Sequence, residues 1–151
     1  GLAAEIGDGR GVVTLPGIAD LVRRLHDHEQ VLLGLLTGNI EAGARIKLEP
    51  TGLLPYFRLG AYGSDHHDRR ELPSLAARRA HALIGVPFAA DQVVVIGDTP
   101  RDIECARHFG AMAVAVATGQ YSREALEAEG PDLLFESFAD VEGALARLLP
   151  S

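Results

Sequence analysis

Apolar residues along this chain switch between two periods. Between residues 16 and 30 they recur at helical spacing, with Ile18, Leu21, Val22 and Leu25 on one stripe and Pro16 placed for a first turn. The run "VLLGLLTG" at 31–38 follows directly, continuously apolar, too short for a typical helix and closed by Thr and Gly. Such a run fits a strand covered on both faces, the usual condition of parallel sheets. The succession then repeats: helix 39–48, strand 57–62, helix 71–84, strand 92–97, helix 100–109, strand 111–119, helix 122–129, strand 133–137 and a last helix ending at 149. Loops between these elements are of ordinary length.

This alternation predicts an α/β fold, a parallel sheet with helices on both faces, in which ligands gather beyond the carboxyl ends of strands. Three loops qualify by content: "TGN" at 37–39, "SDHHDRR" at 64–70 and "GDTPRD" at 97–102. The opening stretch "GLAAEIGDGRGVVT" has turn chemistry around Asp8 and Gly9 and no long periodic segment. Residues 1–15 therefore read as a linker or remnant, and 16–151 as one domain.

Composition narrows the partners. A chain of 151 residues, 47% hydrophobic, is long enough to bury a core. Lys and Arg total 14 against 21 Asp and Glu, a net charge of −7 that argues against nucleic acid as the main partner and against anionic membranes. No apolar run is long enough to span a bilayer, and the N-terminal residues carry no basic-then-apolar leader pattern. The single cysteine, Cys105, excludes an internal disulfide framework and suits a reducing cytoplasm.

The candidate chemistry sits in the three loops. Asp98 ends an apolar strand, Pro100 suits the first turn of a helix, and Asp102 falls in or near that turn, so both carboxylates face one site. Oxygen donors with few soft neighbours favour a hard cation, Mg2+ where phosphate is handled. The competing reading is helix capping by Asp98 or Thr99, with Asp102 complementing the dipole. Thr37 and the backbone N–H groups after it could hold a phosphoryl oxygen at a helix start; the competing reading is a helix entry capped by Asn39. Arg69 or Arg70 could neutralise charge on a transferred phosphoryl group, or be solvated. His66 and His67 are adjacent and lack the spacing of a zinc site, and Cys105 has helical neighbours that mark it as packing.

Thr37 in "LLTGN", a basic residue in "DRRELP" and the acidic pair in "VVVIGDTPRD" occur in the order and rough spacing of the haloacid dehalogenase superfamily. The chain resembles its phosphatase branch, the phosphoglycolate-phosphatase-like enzymes, from Pro16 onward. "PGIADLVRRL" is similar to the segment that re-enters the core from a helical cap, which would make residues 1–15 a cap remnant. The resemblance implies a Rossmann-like core and Mg2+-dependent hydrolysis of a small phosphorylated metabolite through an aspartyl-phosphate. It also implies roles: Thr37, Gly38 and Asn39 for phosphoryl binding, Arg69 for charge stabilisation with Arg70 as its competitor, Asp98 as direct metal ligand, and Asp102 completing the metal site directly or through water. The family often has Lys where Arg69 stands, a compact ammonium in place of a rigid fork.

A second departure is larger. The family begins with an apolar strand ending in Asp-x-Asp, whose first Asp attacks phosphorus, and no such motif occurs here; Asp8 in "EIGDGRG" has neither the strand nor a second Asp two positions away. The expectation is a core lacking its first, central strand, between "VLLGLLTG" and "QVVVIG", with the nucleophile on a preceding N-terminal segment of the same protein and this chain alone inactive. The alternatives are a noncatalytic phosphate- or Mg2+-binding module of the same fold, and, third, a receiver-type phosphoacceptor domain.

Overall fold

The computed structural model describes residues 18–28, 31–37, 41–49, 52–117 and 121–149. Within them strands and helices alternate: α1 (Ile18–His26), β1 (Gly34–Thr37), α2 (Glu41–Leu48), β2 (Leu59–Tyr62), α3 (Leu72–Ile84), β3 (Val94–Gly97), α4 (Pro100–Phe109), β4 (Met112–Val116), α5 (Arg123–Glu127), β5 (Leu133–Phe135) and α6 (Val141–Leu148). Each element expected from the periodicity is present and most are shorter. Of their described residues, the 31–38 run forms a strand over the last four and the 111–119 run over Met112–Val116. Apolar character extends past the strand ends because flanking residues are buried as well: the Leu33 carbonyl accepts the Arg58 N–H at 3.1 Å, and the Ala111 N–H donates to the Ala106 carbonyl of α4 at 2.9 Å. The proposed division at residue 15 lies outside the described residues.

All strand pairing is parallel. β1 pairs with β2, Gly34 opposite Leu59 through Thr37 opposite Tyr62, and β3, β4 and β5 form a second ladder in that order. Alternation within strands feeds two cores. Leu35 and Tyr62 join Val94, Ile96, Val114 and Val116 against Leu21, Leu25, Leu145 and Leu148 of α1 and α6. Leu36 and Ala61 join Val95, Ala113 and Ala115 against Leu72 and Ala76 of α3 and Ile103 and Ala106 of α4.

Both cores therefore run across the two sheets, yet no described strand links β1 to β3. Each of these strands is buried on both faces and has one edge that no described strand occupies. In a parallel sheet such an edge is normally covered, because a buried N–H or C=O without a partner is costly. The break falls where the sequence reading put the missing central strand.

Candidate functional site

Asp98 follows directly after β3, and the chain turns there into α4. The turn is fixed by a reciprocal cap: the Thr99 hydroxyl accepts the Asp102 N–H at 3.3 Å, and Asp102 Oδ2 accepts the Thr99 N–H at 3.0 Å. The Thr99 hydroxyl also donates to Oδ2 at 3.0 Å. Pro100 occupies the first turn, where its missing N–H costs nothing, and Gly110 ends the helix with φ of 89°. Gly97 is required at the strand end, since a methyl there would run into the Asp102 carboxylate and Cβ.

Asp102 is 2% exposed, the one fully buried charged side chain among the described residues. Its other oxygen, Oδ1, accepts from Arg69 Nη2 at 3.3 Å. Arg69 lies in a single 3-10 turn, Arg69–Glu71, that runs into α3 and packs against α4. The buried Cys105 thiol donates to the Arg69 carbonyl at 3.5 Å, so this cysteine holds the turn as well as filling core.

Arg69 and Arg70 thus part company. Arg70 points outward, donating from Nε and Nη2 to Asp68 at 3.1 and 3.0 Å, and these hydrogen bonds pull the Asp68 carboxyl down to about 2. Of the two basic residues, only Arg69 meets the acidic loop. His66 and His67 stack at 4.6 Å, both exposed, and the Asp68 N–H donates to His66 Nδ1 at 2.9 Å.

Thr37 closes β1 opposite Tyr62, while Gly38 and Asn39 lie outside the described residues, as does Asp8. The remaining features were not read from sequence. Asp65 accepts the Tyr62 N–H at 2.8 Å and is clasped by Arg79 through two contacts of 2.9 Å, which lower its carboxyl below the usual range. This clasp ties the 64–70 loop to α3. Its partners are 14 residues apart, so no local spacing announces it.

An oxygen donor set fits a hard cation in kind. Asp98 has a buried side-chain oxygen, Oδ1, in the loop after β3, whereas both Asp102 oxygens already accept hydrogen bonds from Thr99 and Arg69. The capping geometry weighed as the alternative is present at Thr99, whose hydroxyl accepts the Asp102 N–H. Among the described residues no three His, Cys, Asp or Glu side chains cluster to enclose a metal.

A HAD-hydrolase-like family model matches residues 70–141, spanning the acidic loop and the second ladder. Over 147 residues the chain is 33% identical to a phosphoglycolate phosphatase of Synechococcus elongatus, covering 96% of this chain and 66% of that protein. The chain belongs to the haloacid dehalogenase superfamily. A phosphoglycolate phosphatase of Salmonella typhimurium is 29% identical over 89% of this chain and 52% of its own length. The chain thus spans between about half and two thirds of these relatives. Among solved structures, a haloacid dehalogenase-like hydrolase of Streptococcus pneumoniae aligns with a TM-score of 0.75 at 21% identity, over 89% of this chain and 59% of that one. A HAD-hydrolase of Bacillus subtilis bound to magnesium aligns at 0.66 and 19% identity, over 89% and 55%. These likenesses agree with the α/β fold of parallel strands and flanking helices. Among the described residues no helix is long and apolar enough to cross a membrane.

Proposed function

We propose that this chain forms the phosphate- and metal-handling part of an Mg2+-dependent phosphate monoester hydrolase that works through an aspartyl-phosphate, its attacking Asp carried by a preceding segment of the same protein. The observation that carries the reading is the break between β1 and β3, two strands buried on both faces and each open along one edge to any described partner. A strand entering there would satisfy both edges and set its C-terminal residues between Thr37 and Asp98. The partial coverage of the phosphatase relatives supports the same reading.

In this proposal Asp98 holds the cation, and Asp102 acts on it by fixing the loop and by aiming Arg69. When bound, Mg2+ would neutralise charge on phosphoryl oxygens as a Lewis acid. Arg69 presents a permanent cation to the same charge, and its pairing with buried Asp102 orients the guanidinium before substrate arrives. Thr37, with the N–H groups of Gly38 and Asn39, receives the remaining phosphoryl oxygens at the entry to α2. The substrate is a small phosphorylated metabolite, phosphoglycolate being the first to try because the relatives bear that name.

The test is phosphate release from a panel of phosphate esters by the natural full-length protein, with and without Mg2+, beside Asp98→Ala. Turnover that needs both the metal and Asp98 supports the proposal. Turnover indifferent to both sinks the mechanism, and phosphate or Mg2+ binding with no turnover favours the noncatalytic module.

A further inference from the structure

The face of β1 and β2 that turns away from α3 bears a cavity of about 290 Å³. Its floor is Leu35 and the ring of Tyr62, which folds back over Gly60. Only glycine permits this, because a Cβ at residue 60 would strike the phenol. Leu54 and Phe57 form one apolar wall, and α2 forms the other through Glu41 and Arg45. Arg58 stands at the rim, exposed and with no ion pair among the described residues. Arg79 reaches round the outer edge of β2, donating to the Gly60 carbonyl at 2.5 Å while it clasps Asp65.

The charges can be counted. Arg45, Arg58 and Arg79 face Glu41 and Asp65, leaving one net positive charge in a chain whose total is −7. Arg79 has its donors committed, and Arg45 approaches Glu41 only loosely at 3.6 Å, so Arg58 and much of Arg45 are available. Burial raises the Tyr62 phenol, which keeps its proton at neutral pH and can donate it to an anion. One positive charge above an apolar floor suits a monoanion better than a dianion, and Arg pairs a carboxylate through two parallel bonds. At ~30 Å³ for each water-sized volume, the space admits a ligand of about ten heavy atoms.

We propose that this cavity binds a small organic monocarboxylate with an apolar body, at a site distinct from the Asp98–Arg69 cluster. The inference does not depend on the phosphatase reading. Its ligand would rest against α2 through Glu41 and Arg45.

The natural full-length protein is titrated with phenylacetate, with its uncharged counterpart phenylacetamide, and with inorganic phosphate as a competitor, following the backbone amide resonances of Leu35, Gly60 and Tyr62. The expected result is phenylacetate binding about tenfold tighter than the amide, shifts confined to those residues and the others lining the cavity, and about tenfold weakening in Arg58→Ala. Arg58→Lys should fall between. Because residue 58 is exposed, both variants should keep the wild-type spectrum elsewhere. Equal affinity for acid and amide, indifference to both substitutions, or displacement of phenylacetate by an equal concentration of phosphate would each overturn the proposal.

Discussion

Replacing Gly97 by Ala tests how the acidic loop is built. Gly97 is the last residue of β3 and fully buried, and a methyl there meets both the carboxylate and the Cβ of Asp102. Rotating the Asp102 side chain cannot clear its own Cβ, so the first turn of α4 has to move. Overpacking a tight site costs about 1–3 kcal/mol, and loss of the reciprocal Thr99–Asp102 cap about 1 more, giving about 2–4 kcal/mol. The Arg69–Asp102 pair is left out of this sum because Arg69 keeps 26% of its side-chain surface in water, which can take over its donors. For a domain of this size each kcal/mol shifts Tm by about 2–4 °C, so Gly97→Ala should melt about 5–15 °C lower. Thr99→Ala removes the cap alone and should cost about 1 kcal/mol. Circular dichroism melts of the two single variants and the double variant complete the cycle. If the two act through the same turn, the double variant loses less than the sum. A Gly97→Ala protein within about 0.5 kcal/mol of wild type, or strict additivity, would refute this account of the loop.

Arg69→Ala should lower phosphate release by about a hundredfold, the usual effect of losing one charge-stabilising donor, while Arg70→Ala should change it by less than about threefold. Steady-state rates for both variants check this, and equal losses would contradict the division seen here. Acid should dissolve the Asp65 clasp. Its carboxyl is lowered in the folded state, so the stability it contributes is complete above the unfolded value near 4 and is lost as pH falls through the folded value. The Tm gap between wild type and Asp65→Asn should therefore be full at neutral pH and shrink as the pH falls below about 4.

The element order was legible because burial on both faces leaves continuous apolar runs such as "VVVIG", and helices punctuate them with Pro100 and Gly110. α4 matched its expected bounds for that reason: a proline opens it and a left-handed glycine ends it. Strand lengths were less legible, since Leu33 and Ala111 are as buried as the strand residues beside them although they lie outside the strands. At the site, the 98–102 spacing located the turn, but sequence could not say that Asp102 spends its oxygens on Thr99 and Arg69. Nor could it choose between Arg69 and Arg70. That depends on the 3-10 turn that sends one guanidinium toward α4 and the other toward Asp68. The Asp65–Arg79 clasp and the Tyr62–Gly60 fold-back join residues whose relation exists only once β2 and α3 have packed.

In the proposed mechanism, residues 1–151 hold one part of a reaction centre whose attacking carboxylate enters on a strand between β1 and β3. It is tested most directly by phosphate release from phosphoglycolate, in Mg2+, by the 151-residue chain alone and by the natural full-length protein. Turnover is expected only from a protein that carries the proposed nucleophile strand, and is expected to be lost on replacing that strand's terminal Asp. Turnover by the 151-residue chain alone, at the rate of the longer protein, would contradict it.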